Sequence, residues 1–217
     1  MATVAGRTRK RKAAGSGKRE PAWDIATFFP LQGDWTEEEY LAFERDAGNR
    51  LIELVDGCVE VLPVPSLRHQ RIAKWMLRRV DDFIVPRNLG EAQMAPLPVK
   101  LFSGQIREPD IVFFEARRVR DLDEQPLDGA DLVMEIPSPG QKNRKRDFVI
   151  KRRAYARARI REYWIVDPQT KMITVLTLSG KSYKVHGVFK AGDDAASKLL
   201  KGFKVAVSDV FAAGEGT

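Results

Sequence analysis

The order of its periodic segments constrains this chain most: a helix, strands, a second helix, strands, a basic helix, and strands again. "TEEEYLAFE" (36–44) opens with a capping residue followed by three acids, as a short helix should. "LIELVDGCVEVLP" reads as two apolar strands around Asp56-Gly57, a hairpin signal that sets Glu53 opposite Glu60. Two like charges in that position are unfavourable unless a cation or a proton sits between them. Ser66 caps a helix running to about Phe83, in which Ile72, Trp75, Met76 and Val80 recur at helical spacing. "LPVKLF" and "PDIVFF" read as strands, followed by a long connection from Glu115 to Ala130 and a third strand, "DLVMEI", stopped by "PSPG". The basic helix is expected from about Asn143 to Ala158, and "EYWIVD", "MITVLTL" and "SYKVHGV" are three further strands. There is no internal repeat. The expected class is α/β or mixed α+β, a mixed sheet flanked by helices.

Charge is unevenly placed. The chain of 217 residues carries a formal +7, but residues 1–20 hold seven Lys/Arg against Glu20 alone, which leaves the remainder near +1. Residues 1–22, Gly-, Ser-, Ala- and Lys/Arg-rich without periodicity, are expected to be a disordered basic tail ahead of one domain over 23–217. A second basic cluster lies in the body: ten Lys/Arg between Lys142 and Arg161, with Asp147 the sole acid. Such a stripe suits phosphate contact and equally suits a solvated helix face. No apolar run approaches the ~18 residues that span a bilayer, and the N-terminus lacks a secretory apolar stretch, so a cytoplasmic protein without membrane contact is expected. Cys58 is the single cysteine, and His69 and His186 are the two histidines, too few for a Cys- or His-built metal site. Any metal must rest on carboxylates, which points to Mg²⁺ or Mn²⁺.

Asp110 begins one strand and Glu135 lies near the end of the next. If the two strands pair antiparallel, both carboxylates meet at one end of the sheet, as a divalent cation requires. On the basic helix, Asp147, Lys151 and Tyr155 are spaced four apart and share a face with Phe148, Ala154 and Ala158. A lysine on an apolar face is costly to desolvate unless a carboxylate or phosphate meets it. Phase therefore separates Lys151 from Arg152 and Arg153. Singly, each acid has a structural reading: Asp110 as a strand start, Asp147 as a first-turn charge, Glu135 as a buried partner of Lys151. Jointly they make a candidate catalytic set.

"PDIVFF" followed by "MEI" resembles the PD-(D/E)xK nucleases, in which the Asp and Glu bind metal and a Lys polarises the attacking water. The lysine position two residues after the Glu is Pro137 here. "ELVDG", His69, "REPD", "MEIPSP", the Asp147–Lys151–Tyr155 spacing and "REYWIVDP" together resemble the restriction-endonuclease-like Uma-two family of bacteria, across about 36–211. In that branch the following helix supplies the lysine. The resemblance implies a restriction-endonuclease-like fold and a metal-dependent endonuclease acting on DNA in the bacterial cytoplasm. Its metal acids would be Asp110, Glu135 and Glu53, and Lys151 would serve the water. His69, Arg144, Lys145 and Arg152 are candidate substrate contacts, and a homodimer is left open. The alternative is a nucleic-acid-binding protein that keeps the fold without catalysis. Glu60 has no role in this reading.

Overall fold

The computed structural model describes residues 32–47, 51–119 and 126–216. The expected tail, 1–22, lies outside them. Helix α1, Glu37–Ala47, starts with the anticipated cap: Thr36 N donates to Glu39 Oε2 at 2.9 Å, and Glu39 N donates back to Thr36 Oγ1 at 3.2 Å. Strands β1 (Ile52–Val55) and β2 (Cys58–Val61) form the hairpin, with Glu53 facing Glu60. Its turn takes positive φ at both Asp56 (48°) and Gly57 (76°), and a Cβ on Gly57 would lie 2.4 Å from Gly33 O. Helix α2, Leu67–Ile84, is capped by Ser66, whose side chain accepts from His69 N.

Strands β3 (Gly90–Met94), β4 (Val99–Phe102), β5 (Gln105–Arg107), β6 (Ile111–Glu115), β7 (Leu127–Asp128) and β8 (Leu132–Glu135) follow. Of these, β3 and β5 were not expected, and the long connection contains a helical turn, Ala116–Val119, as well as β7. Helix α3 is α-helical over Gln141–Lys145, π-helical over Arg146–Lys151 and α-helical again over Arg152–Arg157. Strands β9 (Glu162–Asp167), β10 (Met172–Ser179), β11 (Ser182–Phe189), β12 (Asp194–Ala196) and β13 (Lys204–Ala206) lead to α4, Val207–Glu215.

Two sheets carry the architecture. One, ordered β2-β1-β5-β4-β7, is antiparallel except for β4 with β7; the other, β11-β10-β9-β8-β6-β3, is antiparallel except for β8 with β9. β12 and β13 pair with each other alone. In the six-stranded sheet, alternate residues enter two different cores. Ile111, Phe113, Met134 and Trp164 pack with Ile72, Met76 and Val80 of α2 and Val210 of α4. Val112, Phe114, Val133 and Ile165 pack with Tyr155 and Ala156 of α3. The sheet is therefore covered on both faces, which explains why these strands read as continuous apolar runs. A third core of Tyr40, Ile52, Leu54, Val59 and Ile106 lies under the smaller sheet. The segment Glu108-Pro109-Asp110 joins β5 to β6 and so links the two sheets.

Candidate active site

β6 and β8 are antiparallel with Ile111 opposite Met134. One step along, Asp110 and Glu135 fall at adjacent strand ends, and the two-residue period puts both on the face that α3 covers. Asp110 Oδ2 accepts from Ile136 N at 2.6 Å, which ties the start of one strand to the end of the other. His69, in the first turn of α2, reaches Asp110 through Nε2···Oδ1 at 3.1 Å. Burial opposes the charge on each partner of that pair. Each nonetheless stabilises the other, so Asp110 titrates below and His69 above its ordinary range.

Lys151 enters from α3. Its ammonium lies 2.8 Å from Glu135 Oε1 and 2.9 Å from Glu53 Oε1, and the side chain is 1% exposed. Burial would lower its pKa, but the two carboxylates outweigh burial and hold it above an ordinary lysine. Tyr155, one turn further on, donates its hydroxyl to the same Glu135 oxygen. Even so, burial together with the Asp110, Asp147 and Glu53 charges pushes Glu135 above the ordinary carboxylate range, against the opposing pull of Lys151.

The π-helical segment explains an arrangement that a regular helix would not give. In an α-helix, residues five apart are about 140° apart in phase. Hydrogen bonds from i to i+5 stack them instead. Arg146 and Lys151 are both buried and both line the same cavity, and Arg146 Nε is paired with Asp147 Oδ1 at 2.9 Å.

Behind the lysine lies a layer of paired charges. Arg107 Nη1 bridges the two opposed glutamates, 2.8 Å from Glu53 Oε2 and 3.3 Å from Glu60 Oε2, supplying the cation that their cross-strand placement demands. Glu53 Oε1 also accepts from Glu108 N at 3.1 Å. Burial pushes the Glu53 carboxyl up, but Lys151 and Arg107 dominate jointly and hold it at about 2. Both oxygens of Glu53 are thus engaged, and Glu53 does not line the cavity.

The cavity is small, about 70 Å³, and is lined by His69, Glu108, Asp110, Glu135, Ile136, Arg146 and Lys151, with Leu51, Leu62, Pro63 and Pro96 among its walls. Glu108 is 2% exposed, and burial with the Glu53 and Glu44 charges pushes it up to about 9. The cavity wall and the layer behind it together hold six carboxylates (Glu53, Glu60, Glu108, Asp110, Glu135, Asp147), three permanent cations (Arg107, Arg146, Lys151) and His69. Among the described residues, no three His, Cys, Asp or Glu converge closely enough to hold a metal unaided.

Of the residues anticipated from sequence, Asp110, Glu135, Lys151 and His69 come together here. Arg144, Lys145 and Arg152 do not line the cavity. Arg144 pairs with Asp167 at 2.6 Å, Lys145 is exposed, and Arg152 donates to Tyr183 O at 3.1 Å. Arg107, Glu108 and Arg146 escaped the sequence reading. The opposed Glu53/Glu60 pair signalled a missing cation, and Glu108 shares the two-residue period of Asp110.

The family model described as "Putative restriction endonuclease", Uma2, matches residues 37–208. This chain belongs to the Uma2 family. The Uma2 fold assignment agrees with a solved structure from Anabaena variabilis ATCC 29413, titled a putative nuclease belonging to DUF820. It is similar at a TM-score of 0.64 and 16% identity, over 82% of this chain and 98% of that one. No curated protein matches this Uma2 chain. Among the described residues, no helix is long and apolar enough to cross a membrane.

Proposed function

We propose that this Uma2 protein is a metal-dependent endonuclease that hydrolyses phosphodiester bonds in DNA inside a bacterial cell. The observation that carries the reading is the convergence of Asp110, Glu135 and Lys151 on one cavity wall. Mg²⁺ or Mn²⁺ fits this donor set. Asp110 and Glu135 offer hard oxygens from rigid strand ends, and the surrounding acids outnumber their permanent cations. Two protein carboxylates suffice for an ion that normally keeps several waters and takes further oxygens from a phosphate. When bound, such an ion would offset charge developing on the scissile phosphate and acidify a nearby water.

The chain's own residues have separable tasks in this reading. Lys151, held protonated by Glu135 and Glu53, cannot act as a base. It orients the attacking water and neutralises charge as the phosphate enters. Glu53 and Tyr155 fix the lysine and Glu135 from behind, which is the pre-organisation an electrostatic site needs. His69 holds the Asp110 carboxylate in one orientation. Arg146 lines the path a phosphate would follow.

Nicking of supercoiled plasmid over a Mg²⁺ series, with a chelator control, tests the reading. Nicking should rise with Mg²⁺ and vanish on chelation. Lys151→Arg should lose about a hundredfold in rate, since a planar guanidinium does not replace a compact ammonium wedged between two carboxylates. A wild-type protein that binds DNA but never nicks it under any divalent cation would instead support the alternative, a nucleic-acid-binding protein without catalysis.

A further inference from the structure

We propose that Glu108 is a third acid of the cation site, accepting hydrogen bonds from water carried by a divalent ion between Asp110 and Glu135. The inference rests on the nuclease reading and deepens it. Glu108 lines the same cavity as Asp110, Glu135 and Lys151 and is 2% exposed. Neither of its carboxylate oxygens has a hydrogen-bond partner in the protein. Among the described residues it is the one carboxylate whose buried oxygens are left so. A buried carboxylate without a partner opposes folding, so its presence at a cavity wall points to a ligand rather than to the core.

The nearby protein cations are already committed. Arg107 serves Glu53 and Glu60, Lys151 serves Glu53 and Glu135, and Arg146 is paired with Asp147. The backbone of Glu108 is pinned by its N–H to Glu53 Oε1 at 3.1 Å. Without a ligand Glu108 keeps its proton, and a cation that replaces that proton must come from solution. No three carboxylates are close enough for direct coordination among the described residues, so Glu108 acts through water. Mg²⁺ and Mn²⁺ suit this arrangement, Mg²⁺ above all because it sheds its waters reluctantly. The cavity of about 70 Å³ has room for a few waters.

Mg²⁺ binding to the full chain, measured by calorimetry and by the rise in melting temperature with Mg²⁺, tests this in wild type, Glu108→Gln and Glu108→Ala. Metal-free Glu108→Gln should melt close to the wild-type temperature, because one neutral buried group replaces another of the same size and no hydrogen bond is lost. Its Mg²⁺ affinity should fall by about tenfold to a hundredfold, with a smaller Mg²⁺-induced rise in melting temperature. Glu108→Ala should show the same loss. If both variants bind Mg²⁺ as tightly as a wild type that itself binds and nicks, the assignment of Glu108 is overturned and the nuclease reading stands. If wild type binds no divalent cation at all, both fall together.

Discussion

Glu53 and Glu108 are two glutamates joined by a hydrogen bond from the Glu108 N–H to the Glu53 carboxylate, both almost fully buried, yet their surroundings are opposite. Glu53 sits in a layer where each oxygen meets a cation, and its carboxyl is held down at about 2. Glu108 sits on a cavity wall with no protein partner, and its carboxyl is pushed up to about 9. Sequence separation and burial are therefore poor guides to what a buried acid does; the inventory of nearby donors decides. The Glu53–Arg107–Glu60 layer builds the platform. On the Asp110–Glu135–Glu108 wall, with Lys151 between the two, Asp110 and Glu135 have protein partners and Glu108 has none.

The largest loss is expected from removing the shared cation of the platform. Arg107→Met leaves Glu53 and Glu60 facing each other without their shared cation, and should lower unfolding free energy by about 3–5 kcal/mol in urea titrations. Combining it with Glu53→Gln and Glu60→Gln should recover much of that loss, because no uncompensated charge remains. No recovery would mean that Arg107 acts through packing rather than charge.

The pH dependence of stability sharpens the contrast, since the two acids have opposite signs. Glu53 titrates below its ordinary 4.5, so its stabilisation is present above that value and is lost as pH falls towards about 2. Glu108 titrates above the ordinary 4.5, so its protonated form favours folding at low pH and that advantage is lost as pH rises through about 9. Unfolding free energies measured across this range should show Glu53→Gln removing the acid-side slope. Glu108→Gln should flatten the decline in stability between pH 4.5 and about 9. The same slopes in both variants and wild type would remove the electrostatic basis of the contrast.

The smallest effect is expected away from both regions. Arg152 follows Lys151 in sequence but donates to Tyr183 O rather than lining the cavity. Arg152→Ala should cost about 1 kcal/mol of stability and leave the nicking rate within a few-fold. A collapse of nicking comparable to a Lys151 variant would return Arg152 to the substrate path.

What was legible in the sequence follows from which periods survive folding. Asp110 and Glu135 could be paired because strand ends and a two-residue alternation fix which face a side chain takes. Lys151 could be separated from Arg152 and Arg153 by helical phase, and the Asp56-Gly57 turn gave the Glu53–Glu60 register. Arg146 was out of reach because a π-helical insertion is silent in a 3.6-residue pattern. Arg107 lies in β5, three residues long, too short for periodicity to mark. Arg144 and Arg152 were grouped with the phosphate contacts by composition, whereas Asp167 and the Tyr183 carbonyl engage them in the fold. The two-residue spacing of Glu108 and Asp110 was readable, but the missing partner that makes Glu108 informative exists only in three dimensions.

The most direct test of the account is the Mg²⁺-dependent nicking rate of Asp110→Asn beside its melting temperature. Asp110 belongs to the wall and is not held by the platform, so removing its charge should reduce nicking by about a hundredfold or more. Its melting temperature should fall by several degrees, because His69 and Ile136 N lose a charged acceptor, while the protein stays folded at the assay temperature. Nicking within a few-fold of wild type in a folded Asp110→Asn protein would contradict the account, because it would place the chemistry outside the cavity that Asp110, Glu135 and Lys151 enclose.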